Sequence, residues 1–215
     1  MIFDFDGLIL DTETPEFVAW QEVYSALGAT LDRLTWSQII GTQESGWNLW
    51  THLEEQLGHP VDRAPLRASG EARHRALIDA ESARPGVEAW LDQARDLGLR
   101  VGLASSSSGT WVTTYLKRLG FLDRFAAIAT GDRVQRTKPD PAVYHLALTE
   151  LGVAAADAIA IEDSPNGIAA AKAAGVFVVA VPNPMTADLD LSRADLVLKS
   201  LMDMSIAEVA RKTAS

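Results

Sequence analysis

The sequence predicts an α/β fold: a doubly wound, Rossmann-like core with a parallel sheet, into which an all-helical domain is inserted. From about residue 85 onward, amphipathic helices that end in glycine alternate with short apolar runs. This alternation is typical of strands that are buried on both faces of a parallel sheet. Residues from about 14 to 82 show helical periodicity without an intervening strand. We therefore expect a core domain of residues 1–13 and 83–215, and a helical domain of residues 14–82.

The core elements follow one another in a regular order. Ile2-Phe3 predicts the first strand. Four helices come later, and each ends at a glycine that can form the left-handed C-terminal turn. These glycines and the strands after them are Gly98 before 100–104, Gly120 before 125–129, Gly152 before 158–161, and Gly175 before 176–181. A loop at 182–195, a last strand at 196–198 and a short helix after Ser205 complete the core.

The inserted segment predicts three helices, which end near Gly28, Gly58 and Ala80. Four of the six tryptophans lie in this segment, at positions 20, 36, 47 and 50. Because aromatic side chains at helical spacing usually face a common core, we predict that most of these tryptophans pack inside the helical domain.

The composition disfavours several classes of function. The chain of 215 residues carries a net charge of −10, which disfavours broad binding to nucleic acids or anionic membranes. No apolar run approaches the roughly 20 residues that cross a bilayer, and no secretory pattern follows Met1. The chain has no cysteine. We expect a cytoplasmic protein, a monomer or weak homodimer, with no nucleic-acid or membrane partner.

Four polar clusters fall directly after predicted strands. They are Asp4-Phe5-Asp6-Gly7-Leu8, Ser105-Ser106-Ser107-Ser108, Lys138-Pro139 and Glu162-Asp163-Ser164. Because the carboxyl ends of parallel strands meet at one edge of a sheet, these groups should meet in one crevice. Each cluster by itself is also compatible with a turn or a helix cap. Four clusters in this arrangement favour a common site.

These residue types fit phosphoryl transfer. One of two carboxylates at Asp4 and Asp6 can attack phosphorus while the other protonates the leaving oxygen and later activates water. Asp163 can complete a site for Mg²⁺, a cation that prefers oxygen ligands and would offset the repulsion between Asp4 and a dianionic phosphate. Lys138 supplies a second cation, and Ser105 with nearby backbone amides can hold a phosphate oxygen.

The four motifs resemble those of the haloacid dehalogenase-like hydrolases, specifically the beta-phosphoglucomutase-like group of phosphatases and mutases. The matching stretches are Asp4 to Glu13, Leu103-Ala104-Ser105-Ser106, Lys138-Pro139-Asp140-Pro141, and Ile161 to Gly167 continuing to Gly175. The motifs occur in the family's order, and their spacing covers nearly the whole chain. The resemblance implies that the helical domain is a cap that closes over the site and selects the substrate. It also implies that the first strand lies in the middle of the sheet.

The resemblance further implies a role for each matching residue. Asp4 corresponds to the nucleophile and Asp6 to the general acid/base. The implied Mg²⁺ ligands are Asp4, the backbone carbonyl of Asp6, Asp163 and, directly or through water, Glu162. The implied phosphate-binding residues are Ser105, Ser106 and Lys138. The aspartate at position 6 argues against dehalogenation, because true dehalogenases lack it.

Two departures from the family pattern favour a phosphatase over a mutase. Mutases of this group typically carry a cap histidine after the first motif and a Lys-Gly-x-x-Arg stretch in the cap. The corresponding positions here are Glu16 and the sequence Ile-Gly-Thr-Gln-Glu at 40–44. Without these cations, a second phosphate is difficult to hold. The candidate substrate contacts in the cap are Glu16, Gln43, Glu44 and Trp47, although a solvated loop with a packed tryptophan explains the last three equally well.

We therefore expect a Mg²⁺-dependent phosphatase that hydrolyses a small phosphorylated metabolite, such as a sugar phosphate, through an aspartyl-phosphate intermediate. The alternative is a beta-phosphoglucomutase-type sugar-phosphate mutase. A third hypothesis is a non-catalytic protein that retains the fold. It is disfavoured because a cluster of like charges such as Asp4, Asp6 and Asp163 is costly to keep without a use.

Overall fold

The core of the protein is a six-stranded parallel sheet. The structure is a computed structural model, and it describes residues 1–37 and 48–213. Its strands are β1 (Ile2–Phe3), β2 (Gly102–Ala104), β3 (Ala127–Ala129), β4 (Ile159–Glu162), β5 (Phe177–Ala180) and β6 (Leu196–Val197). The strand order is β3-β2-β1-β4-β5-β6, and every neighbouring pair is parallel. The prediction of a doubly wound sheet is confirmed, and β1 lies in its middle.

Four helices lie in the inserted segment, before residue 83, and the described residues of this segment include no strand. They are α1 (Glu13–Ala26), α2 (Arg33–Ser37), α3 (Leu49–Leu57) and α4 (Arg63–Ala80). The first, third and fourth agree with the helices expected from the sequence, whereas the short α2 was not predicted. α1 and α4 pack along each other.

A separate apolar cluster holds these helices together. Trp36 and Trp50 are buried in it, and Trp20 packs edge-on against Trp50 with ring centroids 5.3 Å apart. The predicted packing role is thus confirmed for Trp36 and Trp50, while Trp47 lies outside the described residues. Met185, from the loop after β5, joins the same cluster. The helical segment is therefore seated on the carboxyl edge of the sheet.

The chain enters and leaves the helical segment at one place. Leu10 and Ala83 form an isolated antiparallel bridge, and the Arg84 amide donates to the Ile9 carbonyl at 2.9 Å. Both crossings thus lie beside the end of β1. The division into domains at residues 14 and 82 stays a prediction.

The remaining helices cover the two faces of the sheet. They are α5 (Val87–Asp96), α6 (Gly109–Arg118), α7 (Ala142–Leu151), α8 (Pro165–Ala173) and α9 (Ile206–Thr213), with three short 3₁₀ helices at Leu122–Arg124, Gly131–Arg133 and Ala155–Asp157. Apolar residues of α5, α6 and α9 share one buried cluster with Phe3, and those of α7 and α8 share another with Ile2. Neighbouring residues of a strand point to opposite faces, so both faces of β1 are covered and its end opens into the site.

Within residues 1–37 and 48–213, no helix combines the length and the apolar character that a membrane crossing requires.

Candidate active site

A cavity of about 390 Å³ lies at the carboxyl edge of the sheet, beneath the helical segment. It brings together nearly all of the predicted site residues that the structure describes. Those that line it are Asp4, Asp6, Glu16, Ser105, Ser106, Lys138 and Asp163. Glu162 lies directly below its floor, fully buried. Gln43, Glu44 and Trp47 lie outside the described residues, so their predicted substrate contacts stay predictions.

The floor of the cavity, together with Glu162 directly below it, contains three buried carboxylates and one buried ammonium. The Lys138 Nζ donates to Asp4 Oδ1 at 2.5 Å and to Glu162 Oε1 at 2.6 Å. The Tyr144 hydroxyl donates to the same Glu162 oxygen at 2.6 Å. Asp163 completes the group, and oxygens of Asp4, Glu162 and Asp163 lie within 4.8 Å of one another. One lysine therefore faces an excess of negative charge.

The buried charged groups shift one another's pKa values. Burial alone would lower the pKa of Lys138, but the Asp4 and Glu162 carboxylates outweigh it and raise that pKa. Burial raises the pKa of Asp163 well above its usual range, and repulsion from Glu13 and Asp4 adds to the rise. Lys138 thus stays charged, whereas an ionised Asp163 lacks a sufficient counter-charge among its described neighbours.

The donor set fits a hard divalent cation. Both Glu162 oxygens are already engaged, since Oε2 accepts from the Asp163 amide at 3.2 Å. Among the residues that the structure describes, none donates a hydrogen bond to Asp4 Oδ2 or Asp163 Oδ1. Two buried carboxylate oxygens without a protein donor are what Mg²⁺ would bind, because this ion takes oxygen ligands. Glu162 is better placed to hold Lys138 than to be a direct ligand.

The Asp6 carboxylate lies apart from this acidic cluster and accepts four hydrogen bonds. The donors are Thr12 Oγ1 at 3.1 Å, Ser105 Oγ at 3.3 Å, Ser107 Oγ at 2.7 Å and Trp111 Nε1 at 2.8 Å. The structure therefore separates the two carboxylates of the first motif. Any part of Asp6 in a cation site would fall to its backbone carbonyl.

Ser107 and Trp111 were missed by the sequence analysis. Ser107 belongs to the serine run, but its register relative to Asp6 depends on the turn after β2. Its amide donates to Ser105 Oγ at 3.0 Å, which fixes the two hydroxyls beside each other. Trp111 lies in the first turn of α6, and no sequence pattern indicated that its indole would reach Asp6.

Asn183 is another residue that the sequence analysis missed. Its Nδ2 donates to Asp163 Oδ2 at 2.7 Å and to Glu13 Oε2 at 2.9 Å. It therefore links the acidic floor to the first residue of α1. Burial raises the pKa of Glu13 to about 7, although the Asn183 hydrogen bond opposes this rise. Asn183 lies three residues after the end of β5, so the rule that located the other clusters could have found it.

The turn after Asp6 depends on a glycine. Gly7 has φ of +76°, in the left-handed region that favours glycine. A Cβ at this position would lie 2.4 Å from Asp163 Oδ2 and 2.5 Å from Asn183 Nδ2. Because Gly7 has no side chain, the side chains of Asp163 and Asn183 can occupy the space beside it.

The wall opposite the floor comes from the helical segment. Glu16 and His74 line the cavity from α1 and α4, facing Trp111 on α6. The His74 Nε2 lies 2.9 Å from the Thr12 carbonyl, and its ring centroid lies 6.1 Å from that of Trp111. His74 is a further residue of the site that the sequence analysis missed.

The fold and this cavity define a class: a doubly wound α/β enzyme with an acidic, cation-competent site at the carboxyl edge of its sheet. The chain belongs to the haloacid dehalogenase-like hydrolases, since the model of that family matches residues 1–181. The resemblance noted in the motifs is thus confirmed.

Similar proteins from bacteria support the same assignment. The chain is 45% identical over 207 residues to a Bacillus subtilis (strain 168) protein named "Putative phosphatase YhcW", covering 96% of this chain and 94% of that protein. It is 31% identical to the beta-phosphoglucomutase of the same organism, covering 96% and 91%. A crystal structure of a HAD family hydrolase from Deinococcus radiodurans, with bound phosphate and sodium, has a TM-score of 0.82, with 27% identity and 98% and 94% coverage.

The carboxylate of Glu162 can occupy its position only because residue 167 is a glycine. A Cβ on Gly167 would lie 1.9–2.2 Å from the carboxylate atoms of Glu162. We expect Gly167→Ala to displace that carboxylate from Lys138 and to cost about 1–3 kcal/mol, which is roughly 2–12 °C in Tm for a chain of this size. Thermal unfolding measures this shift.

Gly70→Ala is the matched control. Gly70 lies inside α4, where a new Cβ would meet the Trp20 ring at 3.4 Å, an ordinary contact. Alanine is the better helix former, so this variant should keep or raise Tm. A Gly167→Ala variant as stable as Gly70→Ala would contradict the account of Glu162.

Proposed function

We propose that the protein is a Mg²⁺-dependent phosphatase that hydrolyses a small phosphorylated metabolite through an aspartyl-phosphate intermediate. One observation carries the proposal. Asp4 ends the central strand with one oxygen held by Lys138 at 2.5 Å, and its second oxygen receives no hydrogen bond from the described residues around the cavity. A carboxylate held in this way is oriented for attack on a phosphorus atom in the cavity.

The two aspartates would divide the chemistry. Asp4 attacks phosphorus and forms an acyl phosphate, while Asp6 gives a proton to the leaving alcohol oxygen. Asp6 then takes a proton from the water that hydrolyses the acyl phosphate. The separate hydrogen-bond networks of Asp4 and Asp6 support this division, because a nucleophile and a proton carrier need different surroundings.

Asp4 and Asp163, with the Asp6 backbone carbonyl, would hold Mg²⁺. When bound, this ion would neutralise negative charge on the phosphoryl oxygens and on the carboxylates. Ser105, Ser106 and Lys138 are proposed to hold the phosphate oxygens. The Ser105 hydroxyl donates to Asp6 at 3.3 Å, a long bond that a phosphate oxygen could replace.

A phosphatase is favoured over a mutase by the charges of the cavity. A mutase must hold a second, non-reacting phosphate, which requires additional cations. Of the described residues that line the cavity, Lys138 has the fixed positive charge, and it is already bound to Asp4 and Glu162. At position 16, where such mutases carry histidine, a glutamate lines the cavity.

Residues 14–82 are proposed to form the cap that covers this cavity and selects the substrate. The absence of cysteine and the acidic charge support a cytoplasmic enzyme. We propose that it acts as a monomer or weak homodimer, with a small metabolite as its partner and no nucleic-acid or membrane partner.

Phosphate release tests the proposed reaction directly. We expect the protein to release phosphate from at least one member of a panel of phosphorylated metabolites with Mg²⁺ but not with EDTA. Asp4→Asn should abolish this release, and the acid-quenched wild type should carry a phosphoryl group on the peptide that contains Asp4. Asp123→Asn removes the same charge at an exposed position and should retain full activity. Substantial turnover by Asp4→Asn would refute the mechanism.

The cation site predicts a metal-dependent stability. At a Mg²⁺ concentration about 100-fold above Kd, binding should stabilise the wild type by about 2.7 kcal/mol, or roughly 5–10 °C in Tm. Asp163→Asn should lose most of this shift, because it removes a ligand. The same variant should be at least as stable as the wild type in EDTA, because it removes a buried, poorly compensated charge. An equal Mg²⁺ shift in both proteins would rule out Asp163 as a ligand.

Trp111 is expected to act as a positioning residue for Asp6. Trp111→Phe keeps an aromatic ring but removes the Nε1 donor, and a hydrogen bond to a charged group contributes about 1.5–3 kcal/mol. We expect kcat to fall by roughly tenfold or more, with KM changed less. Tyr115→Phe is the control, since Tyr115 packs on Trp111 at 4.7 Å between ring centroids but is not one of the four donors to Asp6. Equal kcat values for the two variants would remove Trp111 from this role.

A further inference from the structure

The cavity has one wall whose negative charge has no counter-ion bound to it. Glu16 is half-buried in the first turn of α1 and lines this wall. Within the described part of the chain, no residue donates a hydrogen bond to its carboxylate, in contrast to Asp6 with its four donors. Burial raises the pKa of Glu16, while the nearby His74 opposes this rise and Asp6 adds to it. A partly buried carboxylate without a donor is costly, so this one has its hydrogen bonds available to whatever enters the cavity.

The position of Glu16 places it beside the leaving group of the substrate and not beside the phosphate. Phosphate must sit over Asp4 and Lys138, and the leaving oxygen must reach Asp6 for protonation. Glu16 lies close enough to Asp6 for their charges to repel each other. The carbon skeleton attached to the leaving oxygen therefore has to pass Glu16.

The neighbours of Glu16 complete a subsite for this skeleton. Trp111 offers an aromatic ring, and His74 is held by the Thr12 carbonyl at 2.9 Å. The Trp111 indole is fixed in turn by its bond to Asp6 at 2.8 Å. The subsite thus combines the apolar ring of Trp111 with the hydrogen-bond acceptors of Glu16. The C–H groups of a substrate can pack on the ring while its hydroxyl or ammonium groups donate to Glu16.

We propose that Glu16 is a specificity-determining residue that selects a hydroxyl-rich leaving group without a second anionic group, and that favours one bearing an ammonium. This inference rests on the proposed phosphatase function and names its substrate class. A carboxylate or a second phosphate at this position would face Glu16, Glu13 and Asp6, and the one lysine or arginine among the described lining residues, Lys138, is bound to Asp4 and Glu162. An ammonium there would have three carboxylates nearby.

Three compounds of one size test the selection: the 6-phosphates of glucosamine, glucose and gluconate, which differ in bearing an ammonium, a neutral group or a carboxylate. We expect kcat/KM to fall in that order. Glu16→Gln should reduce the ratio of glucosamine to gluconate activity by roughly tenfold or more, through loss of one unit charge close to the substrate. Glu55→Gln, which removes the same charge from an exposed position on α3, should leave the ratio unchanged.

Binding separates this inference from the proposed reaction. Calorimetric titration of the Asp4→Asn variant, with and without Glu16→Gln, gives the affinity order without turnover. A preference for gluconate 6-phosphate in the wild type, or a ratio that Glu16→Gln changes by less than twofold, would overturn the role of Glu16. Absence of phosphate release together with the expected affinity order would instead refute the phosphatase and leave the selectivity standing.

Discussion

The structure of the site depends on the buried ammonium of Lys138. It is 9% exposed and bridges Asp4 and Glu162, two carboxylates that come from strands on either side of the sheet's switch point. A buried charge of this kind is tolerated because its partners are also its hydrogen-bond acceptors. Removing the lysine would leave two buried carboxylates without compensation. The ends of β1 and β4 are thus joined electrostatically as well as by their shared ladder.

One lysine cannot compensate three carboxylates, and the rest of the floor is arranged around that deficit. Tyr144 and the Asp163 amide take up the oxygens of Glu162 that face away from the cavity. Asn183 takes one oxygen of Asp163. The carboxylate oxygens without a described donor, Asp4 Oδ2 and Asp163 Oδ1, belong to residues that line the cavity, where a cation can reach them. The buried hydrogen bonds therefore reduce the excess negative charge and also determine which oxygens are left for a cation.

The sequence predicted the parts of this arrangement that depend on local pattern. The apolar runs and terminal glycines located all six strands, and the rule for strand ends brought Asp4 and Asp163 together although they are far apart in the chain. Trp111 and His74 could not be found in this way, because their roles depend on how α6 and α4 are rotated against the core. Ser107 was missed because its register relative to Asp6 depends on the turn after β2. Periodicity shows that Trp111 belongs to a helix, but the contact with Asp6 is a property of the packing. The short α2 was missed because five residues are too few to show a helical period.

The contrast between floor and wall explains how one acidic cavity can distinguish the two ends of its substrate. At the floor, each charge has a hydrogen-bond partner in the protein, so that site is organised before any ligand arrives. At the wall, Glu16 has no such donor among the described residues, so its charge stays available to act on what enters. Under the proposed function, a phosphate group would be accepted at the floor, where Lys138 and a bound Mg²⁺ would offset its charge. At the wall, the described lining residues include Glu13 and Glu16 but no lysine or arginine. A phosphomonoester with a neutral or cationic skeleton would therefore have one favourable orientation, with phosphorus over Asp4 and the leaving oxygen towards Asp6.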